Sequence, residues 1–143
     1  MTECQMPDSN ATEQEVADLL AKSRTIAVVG VSHKEERDSH KVFKYLMEHG
    51  YKVIPVNPKY KQVLGETCYP DLRSVPEHID IVDIFRSVDA IPAIVDEAIE
   101  VEAGGIWMQL GLAHNEAAGK ARCAGISVVM NKCMKIEHAR LNA

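Results

Sequence analysis

The chain has 143 residues, of which 46% are hydrophobic and 26% are charged, a composition typical of a globular protein rather than a disordered one. Its formal net charge of −5 argues against broad binding to nucleic acids or anionic membranes. No apolar run is long enough to cross a membrane, and residues 1–10 lack the apolar core of a signal peptide. We therefore expect a single cytoplasmic domain over residues 1–143, with a flexible segment at 1–10.

The first half of the chain alternates between helical and extended patterns. Asn10 or Thr12 is suited to capping the first helix, and the β-branched run at 25–30 is typical of a strand buried on both faces. Pro55 suggests an irregular end to the second strand. The patterns predict helices up to about residue 22 and at 39–49, strands at 25–30 and 51–56, an extended piece near 67–69 and a turn of helix at 72–75.

The second half continues the same alternation. Pro92 fits a helix only because it would lie in the first turn. The predicted strands are 79–85, 105–108 and 125–130, and the predicted helices are 88–102, 115–123 and 134–141. Strands that alternate with helices form right-handed βαβ units and a parallel sheet. We therefore predict one α/β domain with a doubly wound parallel sheet and helices on both faces.

In such a sheet, ligands bind at the carboxyl ends of the strands. Five short polar loops follow the predicted strands and should converge on one rim. They are Gly30-Val-Ser-His-Lys34, Asn57-Pro-Lys59, Arg86-Ser87, Gln109 and Asn131-Lys-Cys133.

The loop after the first strand has the residues of a phosphate site. Gly30 permits a tight turn, and backbone N–H groups with the Ser32 hydroxyl could hold a phosphate near a helix N-terminus. The next residues along the chain add to this site: Lys34 and Arg37 supply positive charge, and Ser39 supplies another hydroxyl. The alternative is a strand-end glycine in a solvated charged loop, because glycine is common at strand-to-helix turns.

The motifs of ordinary dinucleotide sites are absent. Ser32 and Glu35 stand at the second and third glycine positions of Gly-x-Gly-x-x-Gly, and Asn57 stands where NAD-binding domains carry an acidic residue for the ribose. Asn57 and Lys59 would accept a phosphorylated ribose that a carboxylate would repel. The pattern favours a nucleotide other than an ordinary dinucleotide.

Seven segments together resemble the stand-alone CoA-binding proteins, which are similar to the N-terminal CoA-binding domain of the succinyl-CoA synthetase α subunit. The resemblance extends from about residue 12 to 141. The segments are Ala27-Val-Val-Gly-Val-Ser32, Arg37-Asp-Ser39, Lys44 to Tyr51, Pro55-Val-Asn-Pro58, Ile81-Val-Asp83, Trp107-Met-Gln109 and Asn131-Lys-Cys133.

The resemblance implies a Rossmann-like domain that binds coenzyme A, or acyl-CoA, at the carboxyl ends of its strands. It places the pyrophosphate at Gly30, Val31 and Ser32, assisted by Arg37 and Ser39, and the pantetheine arm near Trp107 and Gln109. We add Lys59 as a partner for the 3′-phosphate on physical grounds. The remaining implied contacts are Pro55, Val56, Asn57 and Pro58 along the adenosine, and Phe85, Arg86 and Ser87 beside the nucleotide.

The same resemblance limits the expected activity. The synthetase also needs an α-subunit domain with a phosphorylated histidine and a nucleotide-binding β subunit, and 143 residues cannot contain them. We therefore expect a non-catalytic binding protein, without catalytic residues of its own. It could form a homodimer or act with a separately encoded partner subunit.

Two alternatives remain open from the residues. One is an NAD(H)-binding redox module, which Asn57 disfavours. The other is a thiol-redox or CoA-thiolation protein that uses Cys133, because this residue follows the last strand on the predicted rim. The four scattered cysteines are expected to be reduced, and neither they nor the histidines have the spacing of a metal site.

Overall fold

The computed structural model describes residues 10–142, which alternate between helices and strands as the sequence predicts. The helices are α1 (Glu13–Lys22), α2 (Asp38–Glu48), α3 (Ile91–Glu100), α4 (Asn115–Cys123) and α5 (Met134–Leu141). The strands are β1 (Thr25–Val29), β2 (Lys52–Val56), β3 (Gln62–Val63), β4 (Glu66–Thr67), β5 (Ile81–Ile84), β6 (Gly105–Met108) and β7 (Ser127–Val129). A 3₁₀ turn, Val88–Ala90, precedes α3.

Two residues before α1 attach the start of the described chain to the fold. Thr12 caps the helix: its hydroxyl accepts from the Glu15 N–H at 3.1 Å, and the Glu15 carboxylate accepts from the Thr12 N–H at 3.1 Å. The Asn10 side chain donates to the Met130 carbonyl at 2.7 Å and accepts from the Met130 N–H at 2.9 Å. Asn10 is the one described residue of the segment 1–10 that the sequence predicts to be flexible; residues 1–9 lie outside the described residues, and the flexibility of the segment stays a prediction.

The five longer strands form one parallel sheet in the order β2-β1-β5-β6-β7. Apolar residues of α1, α2 and α5 pack on one face, and those of α3 and α4 pack on the other. This arrangement confirms the predicted Rossmann-like α/β fold. The small antiparallel hairpin β3–β4 was not predicted, because two residues per strand are too few to show a period.

The order of the strands shows where a ligand-binding crevice is expected in this sheet. The chain moves from β1 outward to β2 and then returns across β1 to β5, so the direction of winding reverses between β1 and β5. Ligands of doubly wound domains bind at such a reversal, outside the carboxyl ends of the two strands. The loops that begin at Gly30 and Phe85 therefore border the expected site.

The prediction that Pro55 makes the end of β2 irregular is wrong. This residue lies inside the regular strand, paired with Val28, and is not part of an irregular end. The strand accepts a proline because β2 is the edge of the five-stranded sheet. The Pro55 carbonyl still accepts a hydrogen bond from the Tyr69 N–H at 3.0 Å.

Candidate functional site

The loops after β1 and β5 lie against each other. Gly30 has a φ of +88°, a conformation that favours glycine, and its N–H donates to the Val56 carbonyl at 2.9 Å. A Cβ at this position would lie 2.8 Å from Cδ of Arg86 and 3.0 Å from the Phe85 carbonyl oxygen. Glycine is therefore required by both the turn and the close approach of the second loop.

Two serines shape the loop that follows Gly30. The Ser39 hydroxyl accepts from the Ser32 N–H at 2.9 Å, and the Ser32 hydroxyl accepts from the Lys34 N–H at 3.1 Å. A ring nitrogen of His40 lies 3.0 Å from the Ser32 carbonyl oxygen. These bonds fold the loop back onto the first turn of α2 and leave both hydroxyl hydrogens available to a ligand.

Asn57 joins the loops after β1 and β2. Its amide nitrogen donates to the Val31 carbonyl at 2.9 Å, and its amide oxygen accepts from the Lys59 N–H at 2.9 Å. The side chain is buried, so these bonds fix the spacing between the two loops. We therefore assign Asn57 a positioning role within the site.

The converging loops enclose a polar groove of about 720 Å³. No side chain caps the N-terminus of α2, which begins at this groove. The His40 N–H already donates to the Arg37 carbonyl at 3.1 Å, whereas the N–H groups of Asp38 and Ser39 have no acceptor among the described residues and remain available to an anion. Four cationic side chains outnumber two acidic ones along the walls. The lining residues are Gly30, Val31, Ser32, Lys34, Glu36, Arg37, Asp38, Ser39, Asn57, Lys59, Tyr60, Phe85, Arg86 and Ser87.

An apolar cleft of about 590 Å³ continues from the polar groove. The two share Asp38, Phe85, Arg86 and Ser87, so they adjoin each other along these residues. The remaining residues that line the apolar cleft are Lys41, Val42, Gln109, Leu110, Leu112, Cys133, Lys135 and Ile136.

A third, smaller cavity of about 200 Å³ adjoins the groove at Gly30 and Arg86. Val56 and Pro58 line it, together with Ile94 of α3. Arg86 therefore borders all three spaces. Its side chain forms no ion pair or hydrogen bond with another described residue, which leaves the guanidinium available to a ligand.

The structure brings thirteen of the fourteen predicted site residues to these connected spaces. Ten line the groove, Val56 and Pro58 line the small cavity, and Gln109 lines the cleft. Pro55 lines none of the three, because it is a buried strand residue. Sequence reasoning missed Tyr60 and the apolar walls of the cleft, whose residues come from separate loops and helices and share no local pattern.

A buried carboxyl lies beneath the cleft. The Gln109 amide nitrogen donates to Asp83 Oδ1, whereas Asp83 Oδ2 is buried without a hydrogen-bond partner among the described residues. Burial raises the pKa of Asp83 to about 8, although the hydrogen bond from Gln109 acts in the opposite direction. Asp83 is therefore neutral at pH 7 and holds the Gln109 side chain in place.

Asp83 should make stability depend on pH. Its pKa is raised from 3.8 in the unfolded chain to about 8 in the folded one. Between these values only the folded state keeps the proton, so the free energy of unfolding should fall as pH rises and level off above about 8. Asp83→Asn cannot ionise and should flatten this dependence, measured as melting temperature from pH 5 to 8.

The control for this measurement is Asp96→Asn, which alters an exposed carboxylate paired with Lys120. It should keep the pH slope of the original chain. An equal slope in the Asp83→Asn variant would show that this carboxyl does not carry the dependence.

A cavity of about 660 Å³ lies at the opposite end of the strands, beside the residues that precede β1 and β2, and is lined by Lys22, Arg24, His49 and His138 among others. It is a poorer phosphate site for two reasons. It adjoins the C-terminal ends of α1, α2 and α5, where the helix dipole disfavours anions. It also lies away from the carboxyl ends of the strands.

Within residues 10–142, no helix is long and apolar enough to span a membrane, and no group of three or more His, Cys, Asp or Glu side chains could hold a metal ion. Cys68 and Cys133 are free thiols. Cys123 is disulfide-bonded, so the prediction that all four cysteines are reduced is wrong for this residue.

The fold is a Rossmann-like α/β domain with a polar groove at the carboxyl ends of its strands. The family model described as "CoA binding domain" matches residues 24–139. The chain therefore belongs to this CoA-binding domain family, as the sequence motifs predicted.

Individual relatives include both small proteins and parts of larger ones. The uncharacterized protein YneT of Bacillus subtilis is 37% identical over 130 residues, which are 91% of this chain and 96% of YneT. A hypothetical protein from Pyrococcus horikoshii superposes with a TM-score of 0.90 at 42% identity, and the match covers 100% of each chain. The α subunit of ADP-forming acetate–CoA ligase II from Pyrococcus furiosus is 28% identical over 88% of this chain, but the match spans only 30% of that subunit.

Proposed function

We propose that the protein binds coenzyme A, free or acylated, with the nucleotide in the polar groove and the pantetheine arm in the apolar cleft. The observation that carries this proposal is that the two spaces adjoin each other along Phe85, Arg86 and Ser87. CoA has the matching order of chemistry, since a charged nucleotide is followed by a long, less polar arm. Membership of the CoA-binding domain family supports the same ligand.

The groove suits the phosphates of this ligand. The pyrophosphate would lie at the uncapped start of α2, near Gly30 and Arg37, where backbone N–H groups and a guanidinium can neutralise it. Lys59 extends into the same groove and would receive the 3′-phosphate. The small cavity beside Pro58 has apolar walls that suit the adenine ring.

NAD(H) is the weaker candidate. The end of β2 has no carboxylate to accept the two ribose hydroxyls, and the Asn57 amide is already bonded to Val31 and Lys59. No specific observation favours a redox module over CoA binding.

The proposed role is binding without catalysis. The match to the acetate–CoA ligase subunit ends well short of that subunit's full length, and we identify no group within the described residues that would activate a carboxylate. A second copy of the chain or a separate subunit could complete a larger assembly.

Calorimetric titration tests the proposal. Purified protein, kept reduced, should bind CoA saturably with its melting temperature raised, because the ligand binds only the folded state. Dephospho-CoA, which lacks the 3′-phosphate, should bind more weakly than CoA. NADH should bind more weakly than dephospho-CoA. The absence of both heat and a melting shift at millimolar CoA, or preference for NADH, would refute the proposal.

A further inference from the structure

The two free thiols among the described residues differ sharply in surroundings. Cys68 is buried, and its sulfur donates to the Asn57 carbonyl at 3.3 Å. Cys133 is partly exposed, lines the apolar cleft and directly precedes α5. Only Cys133 is therefore open to a molecule that occupies the cleft.

A separate polar group indicates that the cleft receives a ligand. Gln109 is 4% exposed and lines the cleft, and its amide nitrogen is held by Asp83. Its amide oxygen has no hydrogen-bond partner among the described residues. A nearly buried acceptor in an apolar cleft calls for a donor, and the amide N–H groups of a pantetheine arm are donors of the right kind.

We propose that Cys133 captures the thiol end of CoA as a mixed disulfide, by exchange with CoA disulfide. This inference rests on the proposed function, because the nucleotide groove must first hold the ligand. Because the cleft adjoins the groove at Arg86, an arm that extends from the nucleotide into the cleft would run past Gln109 toward Cys133.

The exchange needs no further oxidant. The Cys133 thiol loses its proton to solvent, and the thiolate attacks one sulfur of CoA disulfide. The disulfide bond of the reagent breaks as the new sulfur–sulfur bond forms, and the departing CoA thiolate takes up a proton. One disulfide is consumed and one is formed, with free CoA as the second product. An added thiol reverses the step.

Nucleotide binding should make the reaction selective. A disulfide held in the groove presents its sulfur at a high effective concentration, whereas glutathione disulfide lacks the nucleotide and must react from solution. We expect the CoA adduct to form at least about tenfold faster than the glutathione adduct.

Intact-mass measurement with peptide mapping tests this inference on the full chain. CoA disulfide should add one CoA at Cys133, and the adduct should disappear on reduction. Cys133→Ser should not be modified at this position, and serine still suits the start of α5. The matched control, Cys68→Ser, should keep the adduct.

Two outcomes would overturn the inference: no adduct at Cys133, or equal rates with CoA disulfide and glutathione disulfide. Titration of the original chain with reduced CoA in excess reductant separates the two proposals. Binding of reduced CoA in this titration, together with no adduct in the separate reaction with CoA disulfide, would refute only the disulfide, whereas failure to bind reduced CoA would refute the proposed function as well.

Discussion

Arg86→Ala should weaken CoA binding about 10- to 100-fold. The guanidinium borders the groove, the cleft and the small cavity, and it has no protein partner among the described residues. A charge-assisted hydrogen bond to a phosphate contributes about 1.5–3 kcal/mol, and each 1.4 kcal/mol corresponds to about a tenfold change in Kd. Calorimetry with CoA measures the effect directly.

The matched control is Arg73→Ala, which removes another exposed arginine. Arg73 pairs with Glu97 and Glu100 and lines none of the three spaces, so its loss should leave Kd unchanged. Arg86→Ala binding CoA within twofold of the original chain would mean that the phosphates do not lie beside this residue.

Gly30→Ala should lower both stability and CoA affinity. The residue has a φ of +88°, and the added Cβ would lie 2.8 Å from Cδ of Arg86. A strained backbone of this kind costs about 1–3 kcal/mol, and relief of the contact would displace Arg86 from its place in the groove. We expect a lower melting temperature and a Kd raised at least about tenfold.

Gly119→Ala provides the control for this change. Gly119 lies within α4, and a Cβ there would meet no atom within 4 Å. Alanine is favoured over glycine inside a helix by about 1 kcal/mol, so this variant should be as stable as the original chain or more stable. Unchanged melting and affinity in Gly30→Ala would contradict the assigned geometry of the loop.

The sequence predicted the sheet well because parallel strands buried on both faces leave continuous apolar runs. The runs at β1 and β6 and the helical spacing in α2 are local signals, and tertiary packing agrees with them. The β3–β4 hairpin was missed because its pairing depends on a few backbone bonds rather than on a hydrophobic period. Pro55 was misjudged because the edge position of β2 is a property of the whole sheet.

The site could be predicted only in part. The rule that ligands bind at strand carboxyl ends found the loops at Gly30, Asn57 and Arg86, since each follows a recognisable strand. It did not find the apolar cleft, whose walls combine Val42 of α2, Leu110 after β6 and Ile136 of α5. The role of Asn57 also required coordinates, because its two hydrogen bonds join loops distant in sequence.

The course of the ligand across the molecule can be read from the backbone amide NMR signals of labelled protein during titration with reduced CoA. We expect shifts at Gly30, Ser32 and Arg86, where the nucleotide would lie, and at Gln109 and Cys133 along the cleft. The signals of Gly50 and Asn142, which line the cavity at the opposite end of the strands, should stay unchanged. Shifts confined to that opposite end, or none at saturating CoA, would contradict the placement of CoA along the carboxyl ends of the strands.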